Sequence, residues 1–309
     1  MRVLVVCSGN KGEASPFVRE QCEQLEHVGC DVCLFLVRGK GWRGYLSNRS
    51  GLLKAIREFQ PDIVHAHSGM SALLSGLQRK VPVVATFHGS DVNVPKLRLF
   101  TRLAILLTQA QIVVSEDMKR KLNRSDIQVL PCAVDTAVFR PGEMAQARRL
   151  MGWNMKDRYI LFSSSFSNAV KNSPLAHAAV EALNDSCIHL IELSNRTRAE
   201  VAAMLNACDV ALMTSFSEGS PQFIKEAMAC GTPVVSTRVG DVAELSANVS
   251  GNFLADFDSG KLANALHEAI DFRAMHHFTS GPAVIDSRGL FPAAVASKLV
   301  SLYQSVLKR

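Results

Sequence analysis

No apolar run in this chain approaches ~20 residues, so no segment is expected to cross a bilayer as a helix. The opening MRVLVVC has neither the charged lead nor the cleavage site of a secretory signal, and Val3–Cys7 is expected to form a buried first strand. Eight cysteines, at positions 7, 22, 30, 33, 132, 187, 208 and 230, show no disulfide or zinc spacing. Cys30 and Cys33 fall in an expected strand, where residues three apart point to opposite faces. All eight are expected to be reduced core or near-core thiols of a cytosolic protein. No Gly-x-Gly-x-x-Gly follows the first strand, which removes the dinucleotide fingerprint. No Asp-x-Asp of the sort that holds a divalent ion on a diphosphate is assigned, and no His/Cys set has zinc spacing; no metal site is expected. Zinc-finger and single-strand-binding signatures are missing too, so nucleic acid is not expected as a partner. There is no short internal repeat.

What is present is ordinary globular material. The 309 residues are 48% hydrophobic, enough for two domains of roughly 150 residues each. Net charge is +6, and residues 1–145 hold 19 Lys/Arg against 13 Asp/Glu while the remainder holds 15 against 15. The basic excess is therefore confined to the first half. It is either a solvated face or a surface for anionic lipid headgroups or a pyrophosphate-bearing acceptor.

The most informative stretch runs from Asp209 to Gly240, DVALMTSFSEGSPQFIKEAMACGTPVVSTRVG. DVALMTS and PVVST read as strands. Between them Ser220 is expected to cap a helix with Pro221 in its first turn, and Gly231 followed by Thr232-Pro233 ends it. The unit is a βαβ crossover of a parallel sheet, in which ligands sit beyond the strands' carboxyl ends, facing a helix N-terminus that attracts anions. Two carboxylates flank that N-terminus, Glu218 in the loop and Glu226 within the helix, separated by seven residues. Backbone N–H groups for phosphate with carboxylates for hydroxyls suit a phosphorylated sugar or a nucleotide sugar.

Glu218, seven residues, Glu226, then AMACGTPVVST and Gly240 resemble the donor-site motif of retaining glycosyltransferase family 4, and the EGSP form of the loop resembles a sub-group that builds bacterial surface polysaccharides. The resemblance implies the GT-B architecture and transfer of a sugar from a nucleotide diphosphate with retention at the anomeric carbon. No cofactor is implied; the donor is a nucleotide-diphosphate sugar, with UDP as the expected nucleotide. Carried onto this chain, it makes Glu218 the group that binds sugar hydroxyls and Glu226 the acceptor of ribose hydroxyls. Gly219, Ser220 and the backbone N–H groups of Gln222 and Phe223 face the donor. Family members often carry Gly-Arg near Ser164-Ser165 with a lysine shortly after; here the arginine is missing and Lys171 remains, expected to neutralise the diphosphate.

In the first half, Gly9 and Gly12 lie in a turn between the first strand and a helix beginning at Ser15-Pro16; by resemblance this loop closes over acceptor and donor phosphate. PDIVHAHSG and PVVATFHGSD are strands ending in His and small polar residues. His88 matches the family's active-site histidine that contacts the donor sugar, whereas Asp91 is expected to cap the following turn. His65 and His67 read as strand-end histidines. Arg38, Lys40 and Arg43 surround Trp42 in what reads as a glycine-containing loop, suited to a polyprenyl-phosphate acceptor or a membrane interface. KLRLFTRLAILL reads as a mostly core helix. IQVLPCAVDTAVFRP resembles the family's inter-domain segment, with Cys132-Ala133 where Asn-Gly is usual.

The alternation of strands and helices throughout implies an α/β fold of two doubly wound, Rossmann-like parallel-sheet domains facing across a cleft. Their expected bounds are 1–142 for the acceptor domain and 143–290 for the donor domain, with a C-terminal helix at 291–309 that in this family packs back on the first. The expected function is transfer of a sugar to a glycan or lipid-linked acceptor in surface polysaccharide synthesis, in the cytoplasm with peripheral contact at the inner face of the plasma membrane. The rival classes are a nucleotide-sugar epimerase or phosphorylase on the same scaffold, or a non-catalytic binding relative.

Overall fold

The computed structural model describes residues 1–308; Arg309, the last residue of the expected C-terminal segment, lies outside them. The chain divides into two compact units, Met1–Ala133 joined by the segment from Pro292, and Val134–Phe291. The division falls before Val134 rather than after Gly142, because Val134 and Phe139 are buried in the second unit's core.

In the first unit, β-branched runs give six strands: β1 (Arg2–Ser8), β2 (Asp31–Val37), β3 (Ile63–His67), β4 (Val83–Phe87), β5 (Ala110–Val113) and β6 (Gln128–Val129). All pair in parallel, in the order β2-β1-β3-β4-β5-β6. Along the chain between them run α1 (Pro16–His27), α2 (Gly41–Leu46), α3 (Arg49–Phe59), α4 (Gly69–Gly76), α5 (Gly89–Asn93), α6 (Pro95–Ile105) and α7 (Glu116–Leu122). Strand alternation divides the core. Leu4, Val6, Val64, Ala66, Val83 and Ala85 pack under α3, α4, α6 and α7. Val3, Val5, Ile63, Val84 and Ile112 face the other way.

Of the crossover helices, only α1 contributes to that second face. The second unit supplies, in chain order, α8 (Met144–Met151), β7 (Arg158–Phe162), α9 (Ser173–Glu181), β8 (Ile188–Glu192), α10 (Arg198–Ala207) and β9 (Val210–Met213). Then come α11 (Gln222–Cys230), β10 (Val234–Thr237), α12 (Val242–Ser246), β11 (Asn252–Ala255), α13 (Ser259–His276) and α14 (Gly281–Ser287). The chain then returns as α15 (Pro292–Leu307), which lays Val295, Leu299, Leu302, Tyr303 and Val306 over the open face of the first sheet. Gly281–Leu307 is long and apolar enough to cross a membrane by composition, yet the apolar side of α15 is already spent on this core.

The second sheet is also parallel, ordered β11-β10-β9-β7-β8. Leu161, Ala211 and Val234 face α10, α11 and α14; Ile160, Val210 and Val235 face α9 and α13.

Three local expectations are corrected. Helix α2 occupies much of the segment around Trp42 that reads as a loop, and there Trp42 is exposed with the Arg43 guanidinium 5.1 Å from its ring centroid. KLRLFTRLAILL is not mostly core: α6 buries only Thr101, Ala104 and Ile105. Among the cysteines, all of them free, Cys187 is exposed.

Candidate active site

In the second sheet the chain runs from β7 outward to β8, crosses back to β9 and continues to β10 and β11, so the strand order reverses between β7 and β9. At such a reversal the loops after the two strands part and leave a crevice. The loop after β7 holds Lys171 and the loop after β9 holds Glu218.

Both loops are fixed by local bonds. After Phe162 the chain enters a 3-10 turn, Ala169–Lys171, with Asn168 accepting from the Val170 N–H at 3.2 Å. Asn172 follows in the left-handed region (φ 54°) and is the N-cap of α9. The Thr214 hydroxyl reaches the carbonyls of Lys171 and Asn172, each at 2.9 Å, and the Phe216 N–H donates to Val170 O at 2.9 Å. This stitching brings Lys171 Nζ to 2.6 Å from Glu218 Oε1, with both side chains only partly buried. A cation and a carboxylate from different loops therefore meet at the switch point.

Helix α11 starts one residue later than expected. Pro221 is extended (φ −69°, ψ 121°) and serves as the N-cap, so Gln222 is the first helical residue and Gly231 (φ +70°) closes the C-terminus. Phe223 packs in the core, leaving its backbone alone at the helix start. Gly240, also left-handed (φ +57°), comes so close to the Glu218 loop that a Cβ there would sit 2.6 Å from the Gly219 carbonyl. Gly240→Ala is expected to cost about 2 kcal/mol and to displace Gly219, lowering the melting temperature and donor affinity together; thermal denaturation with and without nucleotide checks it.

Glu226 lies within α11 and is 3% exposed. Its Oε1 pairs with Arg198 at 2.8 Å, and the Arg198 guanidinium stacks over Phe139 at 4.5 Å. It is thus neither a helix-surface charge nor a solvated carboxylate. Where the family's arginine is missing, the Ser165 hydroxyl and Phe166 N–H bind Glu192. The Phe166 N–H, helped by the Ser165 and Ser194 hydroxyls, holds that carboxyl below its usual range. Ser164 accepts from Asn168 at 3.3 Å.

Beneath the loop are two groups that the sequence did not single out. Lys225 is fully buried and Asp241 nearly so. Burial pushes Asp241 up to about 6 from its ordinary 3.8, opposed by the Ser220 hydroxyl and Lys225. Between those two pH values the folded state holds more protons than the unfolded, so stability falls as pH rises from about 4 to about 6. Asp241→Asn is expected to flatten that slope, an effect on the order of 2 kcal/mol, read from melting temperatures across the interval; Asp91, raised to about 6 by burial, has the same sign and keeps a residual slope.

The first unit has its own reversal, between β1 and β3. After β1, Gly12 (φ +96°) donates to Gly9 O at 3.0 Å, and Asn10 bonds Gly39 in both directions at 2.7 and 3.0 Å. The Gly9–Gly12 turn is thereby tied to the segment bearing Arg38, Lys40, Trp42 and Arg43, all exposed. His67 Nδ1 lies 3.1 Å from His88 Nε2 with the rings stacked. Behind them His65 bonds Thr86 at 2.8 Å and Tyr303 at 2.6 Å. Burial holds His65 and His67 well below the usual histidine range, so both are neutral near pH 7. Asp91 caps α5: its carboxylate accepts from the His88 N–H at 2.7 Å and the Gly69 N–H at 2.9 Å.

Among the described residues, no group of three or more His, Cys, Asp or Glu could hold a metal ion. Asp256-Phe257-Asp258 has the Asp-x-Asp spacing, but Asp258 caps α13 through the Lys261 N–H and Asp256 pairs with Lys261 Nζ at 2.6 Å.

Two parallel α/β units, each with its polar loops gathered at a strand-order reversal, define a glycosyltransferase of GT-B architecture when set beside known proteins. Residues 1–138 match the model of Glycosyltransferase Family 4 and residues 160–271 that of Glycosyl transferases group 1. Both halves of the chain thus match glycosyltransferase models. The chain is 28% identical over 298 residues to the protein of Bacillus subtilis named for teichuronic acid biosynthesis, glycosyltransferase TuaC, covering 84% of this chain and 75% of that one. To the D-inositol 3-phosphate glycosyltransferase of Mycobacterium marinum it is 27% identical over 269 residues, 70% of this chain and 58% of that enzyme. Among solved structures, sucrose-phosphate synthase of Thermosynechococcus elongatus aligns with a TM-score of 0.85 at 15% identity, over 100% of this chain and 99% of that one. Anabaena HepE in complex with UDP aligns at 0.76 and 16%, over 99% and 100%.

Proposed function

We propose that this glycosyltransferase moves a sugar, with retention at the anomeric carbon, from a nucleotide-diphosphate sugar to a glycan or polyprenyl-phosphate-linked acceptor in cell-surface polysaccharide synthesis. The observation that carries it is the Lys171–Glu218 pair at the switch point of the second sheet, 2.6 Å apart and part-open to solvent. The name of TuaC supports the polysaccharide role, and complexes of HepE with UDP and with UDP-glucose support a UDP-sugar as donor.

The chemistry asks little of the protein beyond charge placement. As the bond between the anomeric carbon and the diphosphate oxygen breaks, Lys171 leaves Glu218 for the phosphates, and the first N–H groups of α11 add their partial positive charge. Glu218 then accepts from sugar hydroxyls and faces the developing positive charge at the anomeric carbon. Glu226, oriented by Arg198, accepts from the ribose, and Ser164, Gly219 and Ser220 line the donor. In the first unit, His88 stands at the carboxyl end of β4 beside His67, and the Gly12 loop follows β1. The acceptor hydroxyl attacks on the face the diphosphate leaves, and a departing phosphate oxygen takes its proton, so no enzyme nucleophile is required. Arg38, Lys40, Trp42 and Arg43 contact the acceptor at the cytoplasmic face of the membrane.

UDP-, GDP- and ADP-sugars screened by ligand-observed binding and then by nucleotide release test this. A UDP-sugar is expected to bind, with free UDP formed at least tenfold faster when acceptor is present. UDP release independent of acceptor, or none with any donor, overturns it; sugar interconversion without release assigns an epimerase.

A further inference from the structure

Helix α6 has two committed sides and one that faces solvent. Its inner side packs on α4, where a Cβ on Gly69 or Gly76 would lie 2.4 Å from Thr101 Oγ1 and 2.6 Å from Leu107 Cβ. Thr101 also donates to Asp91 O at 2.9 Å, and Arg98 donates to Val92 O at 2.6 Å, so the helix cannot roll to hide its other face. That outer face shows Leu99, Leu103 and Leu106, which are 60%, 44% and 73% exposed. Spacings of four and three place them in one stripe. Lys96 and Arg102 lie on the same side, and Arg79 and Lys80 follow α4 beside it; none of the four has an ion-pair partner among the described residues. From Ile63 to Ser115 the chain has five Lys/Arg and a single acidic residue, Asp91, which is buried.

We propose that α6 is a membrane-docking helix, lying in the plane of an anionic bilayer with Leu99, Leu103 and Leu106 among the acyl chains and Lys96 and Arg102 at the headgroups. Charge complementarity selects this occupant. A second copy of the chain meeting this face about a two-fold axis would set the same cations against each other, and the one acidic residue between Ile63 and Ser115, Asp91, is buried. An anionic bilayer offers an apolar layer and negative charge at the two depths that one helix face requires. The proposal deepens the lipid-linked reading of the acceptor and rests on it for its purpose. Its observations lie apart from the donor site.

Flotation of the full chain with phosphatidylcholine vesicles, and with mixed phosphatidylglycerol–phosphatidylcholine vesicles, needs neither donor nor acceptor. The protein is expected to float with the mixed vesicles only. Leu103→Glu/Leu106→Glu is expected to abolish flotation, and Lys96→Gln/Arg102→Gln to weaken partitioning about fivefold for each cation removed. Both variants should keep the wild-type melting temperature and UDP binding. Trp42→Ala, on α2, is expected to lower partitioning less than the α6 leucine variant. Absence of flotation, flotation unchanged by the α6 variants, or loss of a concentration-dependent dimer in those variants overturns the proposal. Loss of turnover with vesicle binding intact overturns the proposed function and leaves the docking helix standing.

Discussion

Lys171→Ala lowers kcat/KM for transfer by about a thousandfold, the largest single effect expected in this protein. The pattern this chain resembles has an arginine near Ser164-Ser165 as well as the lysine. Here Ser165 and Phe166 are engaged with Glu192, and Lys171 is the basic side chain that the loop after β7 retains. On the proposed mechanism, its removal withdraws the charge that receives the leaving group. It also takes a cation from beside Glu218 and the two phosphates, so the ground state suffers as well as the transition state. Steady-state kinetics check this; KM for the donor should rise while kcat falls. A variant that keeps kcat within threefold of wild type would place the lysine outside the reaction.

Glu218→Gln has the second largest effect, a drop of about a hundredfold in kcat with little change in donor Kd. Glutamine still accepts from sugar hydroxyls but cannot face a positive anomeric carbon with a full charge. It also releases Lys171, which helps ground-state phosphate binding and offsets part of the loss of sugar contact. The two effects are coupled through a 2.6 Å pair, so Lys171→Ala/Glu218→Gln should bind donor more tightly than Lys171→Ala alone. Strict additivity of the two variants would deny the coupling.

Much of this arrangement can be read from residue order. Short apolar runs with Gly, Pro and Ser punctuation mark the strands, because a strand buried on both faces needs little else. The Thr197–Glu200 capping box is bonded as its spacing requires, with the Thr197 N–H and hydroxyl each 2.8 Å from Glu200 Oε2. Glu218 and Lys171 are marked by the family resemblance, and the loops that carry them come together at 2.6 Å.

Other features depend on packing that residue order does not encode. An apolar face such as that of α15 has the same pattern whichever sheet it covers; its destination follows from the first sheet's open side. In α6 the leucines look like core because their spacing is helical, and only the close seat of Thr101 and Ala104 on α4 shows that Leu99, Leu103 and Leu106 point outward. The Arg198–Glu226 pair joins two helices, and no local pattern announces it. Every residue of α11 from Phe223 to Cys230 is buried, so Lys225 had no polar face to betray its unusual setting. The Pro221 cap is a finer case: Ser220 has the preferred chemistry, but proline itself adopts the extended conformation ahead of Gln222.

The most direct test of the account is the affinity of Lys171→Ala for UDP and for UMP, measured by calorimetry against wild type. If the lysine at the switch point holds the terminal phosphate, UDP binding weakens about a hundredfold while UMP binding changes by less than threefold. Equal losses for the two nucleotides, or none for either, would contradict it.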